Sequence, residues 1–203
     1  NMWNSAQVAA DKINADGGVT LKDGSKAQIK LIVGDDESTA TGGNKAATKL
    51  ITDDKVDILV GGYSSAVTSA YEQVIADNKI PFIVTGASSP IITHRTDGID
   101  TSYVFHHCPT TDTYGEYTIL FIDQVVRPAV NKKLGASADR PFRLALLYQD
   151  TAFGKGIQTA VNNTITKNKL NIQLVSQQNF KMGDTDFRTQ LTAIKAANPD
   201  AVY

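Results

Sequence analysis

Two serine pairs carry the chemistry that this chain can be read for. Ser64-Ser65 follows the apolar run Val56-Asp57-Ile58-Leu59-Val60-Gly61-Gly62-Tyr63, and Ser88-Ser89 follows Ile80-Pro81-Phe82-Ile83-Val84-Thr85-Gly86-Ala87. Hydroxyls and unpaired backbone N–H groups in such a setting hydrogen-bond an anion, so the chemistry is capture of a small ligand carrying a carboxylate. The runs read as parallel strands covered by helices on both faces. In open α/β sheets, ligands bind outside the carboxyl ends of the strands. Two neighbouring Gly-Ser strand ends therefore predict one polar cleft. A helix opening after Ser64-Ser65 would add its positive dipole end.

Catalytic, metal and cofactor chemistries compete for some of these residues. Gly62-Tyr63-Ser64-Ser65-Ala66 approximates the Gly-x-Ser-x-Gly nucleophile elbow, in the strand-turn-helix setting a hydrolase requires. The histidines are His94, His106 and His107, and none stands late enough for the usual Ser-Asp-His order. A metal reading of His106, His107 and Cys108 fails on geometry, because adjacent residues of an extended strand point to opposite faces. Asp35-Asp36-Glu37 lacks a recurring oxygen-ligand spacing and reads as a solvated turn. Gly154-Lys155-Gly156-Ile157-Gln158-Thr159 has Thr where a dinucleotide fingerprint needs its third glycine. No cofactor is expected.

The elements that must position the serines alternate. A helix over the first residues, with Val8 and Ile13 among its apolar positions, stops at Asp16-Gly17-Gly18. A strand from Ala27 to Val33, a helix from about Gly43 to Thr52, the strand Val56 to Val60, a helix from about Ala66 to Asp77 and the strand Pro81 to Val84 follow. This alternation predicts βαβ units and a parallel sheet. An extended segment, Thr101 to Pro109, leads to a long helix from Tyr114 to Lys133 and a polar loop, Leu134 to Pro141. A second series then begins: strand Phe142 to Tyr148, helix Gly156 to Asn168, strand Ile172 to Val175, and a helix to Ala197 with Asp186 as N-cap.

Composition narrows the partners. The 203 residues are 41% hydrophobic and 20% charged, with a net charge of -1. No basic field exists to attract nucleic acid. The lone Cys108 excludes an internal disulfide. No apolar run approaches the roughly 20 residues of a membrane span.

The chain resembles the branched-chain-amino-acid (Leu/Ile/Val-binding) type of periplasmic substrate-binding protein, which serves ABC transporters. The marks are the opening helix ending in Ile13-Asn14-Ala15-Asp16-Gly17-Gly18, Asp35-Asp36, Lys49-Leu50-Ile51, Val60-Gly61-Gly62, Ala87-Ser88-Ser89-Pro90, Tyr103-Val104-Phe105, Asp150-Thr151-Ala152-Phe153-Gly154, Asp186-Phe187 and Asn198-Pro199-Asp200-Ala201-Val202. No one mark is specific, but their order and spacing are. The resemblance implies two Rossmann-like lobes closing by a hinge on a ligand in the cleft between them. It places lobe 1 at residues 1–108 and the crossover helix with lobe 2 at 109–203, each incomplete, with a first strand, further lobe 2 material and a lobe 2 acidic residue lying outside this stretch.

The same resemblance implies roles. Tyr63, Ser64, Ser65, Ala87 and Ser88 would meet the ligand from lobe 1, and Thr151 and Phe153 from lobe 2. Phe153 stands where many relatives have Tyr, and Ser88 where Thr is commoner. Phe105, His106, His107 and Cys108 would form the hinge strand. The expected protein is a non-enzymatic receptor of an ABC importer, periplasmic or anchored outside a bacterial membrane, working with a membrane permease. A sensor or regulator built on the same module is the alternative reading, with a serine hydrolase behind it.

Overall fold

A computed structural model describes residues 2–203. Its first half is built from α1 (Met2–Ala15), the short hairpin β1 (Val19–Thr20) and β2 (Lys26–Ala27), α2 (Ala40–Thr52), β3 (Leu59–Gly61), α3 (Ser65–Ser69), α4 (Glu72–Asn78), β4 (Phe82–Val84) and β5 (Val104–His106). The second half holds α5 (Thr111–Phe121), a π-helical turn (Ile122–Val126), α6 (Arg127–Lys133), β6 (Phe142–Gln149), α7 (Ala152–Asn168), β7 (Ile172–Phe180), α8 (Arg188–Ala196) and β8 (Ala201–Val202). Two three-stranded sheets result, ordered β3-β4-β5 and β7-β6-β8, and every pairing within them is parallel.

Each sheet has its own core. Leu59, Phe82, Val84 and Val104 pack under Ala47, Leu50 and Ile51 of α2 and Val67, Tyr71 and Ile75. The Tyr71 ring meets Phe82 edge-on, 5.7 Å between centroids, a favoured aromatic geometry. In the second half Phe142, Leu144 and Leu146 pack under Ile119, Ile122 and Val161. The chain passes from the first core to the second between β5 and α5. The long strand β6 is buried at Phe142 and from Leu144 to Leu146 and half-buried from Leu147 to Gln149, and Asp200 secures β8 beside it. The Asp200 carboxylate accepts both Arg140 Nη groups, at 2.9 and 2.7 Å, and the Arg143 N–H at 2.8 Å. The Arg140 guanidinium thereby holds the Asp200 carboxyl below the usual carboxylate range.

Several expectations need correction. Burial on both faces of the first sheet holds for one face only. Val60, Ile83 and Phe105 lie side by side in register on the other face and are exposed, because α2, α3 and α4 all cover the opposite side. Val8, placed on an apolar helix face, is 69% exposed, and Ala10 is the buried residue of α1. The strand read at Ala27 to Val33 is reduced to Lys26–Ala27. Beyond it the Asn14 side chain takes both backbone groups of Ile29, at 2.7 and 2.8 Å, in place of a ladder partner.

The helix read over Ala66 to Asp77 is two. Asn44 of α2 donates to the Ala70 carbonyl at 3.0 Å, at the point where the helix breaks. The long helix before the polar loop is interrupted by the π-helical turn, next to Pro128, which has no N–H to donate. Asp186 is not the N-cap of α8; Phe187 stands there, and Asp186 instead accepts the Arg188 N–H at 3.1 Å. The acidic Asp35-Asp36-Glu37 stretch is a pair of side-chain-closed turns, Asp35 accepting from Glu37 N–H and Asp36 from Ser38 N–H, each at 2.9 Å.

Candidate functional site

The carboxyl ends of β3 and β4 meet through backbone bonds. Gly61 and Gly62 adopt φ of 146° and 75°, conformations that suit glycine. They turn the chain so that the Gly61 carbonyl receives Thr85 N–H and the Gly62 carbonyl receives the N–H groups of Gly86 and Ala87. A side chain at Gly62 would also strike Thr68 Oγ1 at 2.6 Å. The Tyr63 ring lies against Gly86, where an added Cβ would come within 2.9 Å of it, and Tyr63 is 75% exposed. Ser64 caps α3, its hydroxyl 3.5 Å from Val67 N, a long contact that leaves Oγ loosely held. Ser65 is buried, and its hydroxyl accepts the Ser89 N–H at 3.1 Å. Because α3 spans only five residues, the positive dipole end expected of a longer helix is weak here. The hydroxyls are the principal polar groups of this strand end.

Ala87 and Ser88 are both buried. Ser88 Oγ donates to the Gly86 carbonyl at 3.1 Å and lies 3.9 Å from Cys108 Sγ. The Ala87 carbonyl faces His106, whose Nε2 is 2.9 Å away. A carbonyl only accepts, so Nε2 donates to it, and the Thr93 hydroxyl lies 3.0 Å from Nδ1. Cys108 Sγ approaches the same carbonyl at 3.7 Å. His107 lies on the other side of the strand; its N–H donates to the Val84 carbonyl and its side chain is exposed. Phe105 belongs to the exposed apolar row. His94 Nδ1 contacts Thr93 and the Pro90 carbonyl. The ring contacts of His94 and His106 thus go to Thr93, Pro90 and Ala87, and Ser64 has its capping contact instead.

The second half reaches this junction through α5 and α7. Thr111 N–H donates to the Ser88 carbonyl at 2.8 Å, so α5 starts directly beneath the second serine pair. Thr111 is fully buried against Gly156 of α7, where an added Cβ would come within 2.3 Å of Thr111 Oγ1. A Cβ added at Gly154 would come within 2.0 Å of the Gln149 carbonyl oxygen. These close approaches account for the two glycines that imitate a dinucleotide fingerprint. The helix starts earlier than expected, at Ala152 and not at Gly156. Thr151 becomes its N-cap, 3.4 Å from Gly154 N. Phe153 stands in the first turn, 44% exposed, and α3 touches α7. Lys155 pairs with Asp150 at 2.7 Å, which raises the lysine above its ordinary value.

One buried group had no signal in the sequence. Glu72, at the first position of α4, is fully buried, with one oxygen bonded to Arg95 and the other, Oε1, without a partner. Arg95 also grips Asp97, its Nε 2.9 Å from Oδ1. Burial pushes the Glu72 carboxyl up to about 7, with Arg95 opposing. Arg95 is raised by its bond to Asp97 and by Glu72, so it stays charged. The triad pins the loop after Ser88-Ser89 to α4. A pairing 23 residues apart, carried by a loop arginine, leaves no pattern that spacing could disclose.

Two parallel α/β lobes, joined where β5 leads into α5, define the type I periplasmic-binding-protein fold. The chain belongs to the periplasmic binding protein family, whose model matches residues 1–203. It is 28% identical over 201 residues to an amino acid binding protein of Pseudomonas aeruginosa, covering 99% of this chain and 47% of that protein. It is similar in structure to the branched-chain amino acid transporter substrate-binding protein of Streptococcus pneumoniae in complex with isoleucine. There the TM-score is 0.72 and the identity 25%, over 97% of this chain and 49% of that one. An ABC transporter solute-binding protein of R. palustris in complex with benzoate shares the fold, with a TM-score of 0.69 and 24% identity over 94% and 47% of the two chains. The chain spans about half the length of these relatives. Among the described residues, no helix is long and apolar enough to cross a membrane.

Proposed function

We propose that this chain is part of a solute-binding receptor of an ABC importer, capturing an amino acid or a similar small carboxylate between its lobes. It would work in the periplasm or on the outer side of a bacterial membrane, deliver to a membrane permease and need no cofactor. One observation carries the reading: the Ser65–Ser89 and Ser88–Thr111 bonds bring two parallel strand ends and the start of α5 to one point. The hydroxyls of Ser64 and Ser88 would then serve the ligand from the lobe 1 side, Ser88 exchanging its Gly86 carbonyl partner for the carboxylate. Thr151 and Phe153 stand at the start of the neighbouring α7, where they would act as the lobe 2 cover. The two ligands named for similar structures, isoleucine and benzoate, share a carboxylate.

In this reading the segment Phe105 to Cys108 is the hinge. It ends the first sheet and feeds α5, which packs with the second core. Closure on ligand would bury Phe153 and Tyr63, both exposed in this structure. The test is a thermal-shift screen of the full-length protein against amino acids and aliphatic and aromatic acids. A ligand present at a hundredfold its dissociation constant stabilises by about 2.7 kcal/mol. Stabilisation by at least one carboxylate, with a smaller radius of gyration in solution scattering, is the expected result. A full-length protein indifferent to the whole panel would contradict the reading.

A further inference from the structure

We infer that His106 is a positioning residue of the binding site: from β5 it sets the Ala87–Ser88 peptide and so aims the Ser88 N–H at the ligand carboxylate. The inference rests on the solute-binding reading above and adds to it a side chain that does not itself touch the ligand. It follows from how the turn after β4 is held, peptide by peptide. The N–H groups of Gly86 and Ala87 donate to the Gly62 carbonyl, and the Gly86 carbonyl takes the Ser88 hydroxyl at 3.1 Å. The Ser88–Ser89 peptide is held at both ends, its carbonyl by Thr111 N–H and its N–H by the Ser65 hydroxyl at 3.1 Å. Between them, the Ala87–Ser88 peptide is held at one end. Its carbonyl receives His106 Nε2 at 2.9 Å and the weaker Cys108 Sγ at 3.7 Å, while its N–H has no partner among the described residues.

A trans peptide is planar, and its N–H points opposite to its C=O. Among the described residues no peptide bond is cis. A donor fixed on the Ala87 carbonyl therefore fixes the direction of the Ser88 N–H. Ser88 is 4% exposed, and an N–H buried without a partner is costly. A carboxylate oxygen arriving beside the Ser88 hydroxyl would remove that cost. His106 can serve as the anchor because its ring is itself held. Thr93 Oγ1 stands 3.0 Å from Nδ1. Thr93 is fixed in turn, its N–H on the Pro90 carbonyl at 3.1 Å and its own carbonyl accepting the Thr101 hydroxyl at 3.2 Å. Val84 pairs with His106 in the sheet, so the ring crosses from the last β5 pair to the turn that follows β4.

The test uses the full-length protein and calorimetric titration with L-leucine, L-isoleucine, L-phenylalanine, benzoate and 4-hydroxybenzoate. Whichever of these wild type binds most tightly is then titrated into the variants. His106→Ala, which frees the Ala87 carbonyl, should bind it roughly ten- to a hundredfold more weakly, the factor carried by one hydrogen bond to a charged group. His106→Gln, which returns an amide N–H to that carbonyl, should recover most of the loss. Thr93→Val, which keeps His106 and removes its support, should fall between wild type and His106→Ala. Serine-selective 15N labelling gives a readout that a merely structural role would not move. The Ser88 amide signal, assigned by its absence in Ser88→Ala, should move downfield on saturation of wild type and move less in Thr93→Val and His106→Ala. Wild-type affinity or an equal Ser88 shift in a folded His106→Ala protein would overturn the inference and leave the solute-binding reading standing. So would a His106→Gln variant as weak as His106→Ala. If His106→Ala does not fold, Thr93→Val decides, and wild-type affinity there overturns the inference. Failure of every probe on wild type would overturn the solute-binding reading and this inference together.

Discussion

The Ser65 hydroxyl accepts the backbone N–H of Ser89 across 3.1 Å, in a buried position. This bond joins the loop after β3 to the loop after β4, and so sets the spacing of the two serine pairs. Ser65→Ala leaves the Ser89 N–H unpaired away from water, at a cost of about 1–3 kcal/mol. The full-length variant should melt at a lower temperature and bind its carboxylate more weakly, while Ser65→Thr keeps both properties near wild type. Equal melting temperatures for Ser65→Ala and wild type would show that the bond contributes nothing.

Packing of α5 on α7 sets the position of the lobe 2 face. A methyl at residue 156 would approach Thr111 Oγ1 to 2.3 Å, with the Thr111 Cβ at 3.0 Å. Gly156→Ala should therefore push the two helices apart and destabilise by about 1–3 kcal/mol, as overpacking of a close contact does. Thr111→Ala in the same chain should recover part of the loss. Chemical denaturation of the two variants measures both effects. Additive losses in the double variant would mean that the two residues do not clash.

Glu72 gives the protein a stability that falls with rising pH. Burial lifts its carboxyl from 4.5 to about 7, so the folded state holds the proton more tightly than the unfolded chain does. Its contribution is complete below about 4.5, declines as pH rises, and is lost above about 7. Glu72→Gln cannot titrate and should flatten this trend. Between about pH 5 and about pH 8 the melting temperature of wild type should drop more than that of the variant. Parallel curves would place the proton elsewhere.

The strand ends were legible in sequence because glycine and serine interrupt short apolar runs there, and local chemistry alone produces that signature. The break between α3 and α4 was not, because it depends on Asn44, a residue of another helix, reaching the Ala70 carbonyl. Gly154 and Gly156 read only as an incomplete dinucleotide fingerprint, since nothing local reveals the Gln149 carbonyl and Thr111 that require them. His106 and Glu72 show the same limit. Their partners, Ala87 and Arg95, are set by the sheet order and by a loop, not by spacing. Asn14 likewise replaces a strand partner for Ile29, which turned an amphipathic run into irregular chain.

Ser88 tests the central claim most directly, because its hydroxyl sits at the junction of both lobes, where its hydrogen-bond contacts among the described residues are the Gly86 carbonyl and Cys108. The measurement is calorimetric titration of full-length wild type and Ser88→Ala with the carboxylate that the thermal screen selects. Loss of one hydrogen bond to a charged group is worth about 1.5–3 kcal/mol. The account predicts a weakening of roughly ten- to a hundredfold, with the melting temperature of the ligand-free variant close to wild type. Unchanged affinity in a folded Ser88→Ala protein would remove these strand ends from the binding site and contradict the account.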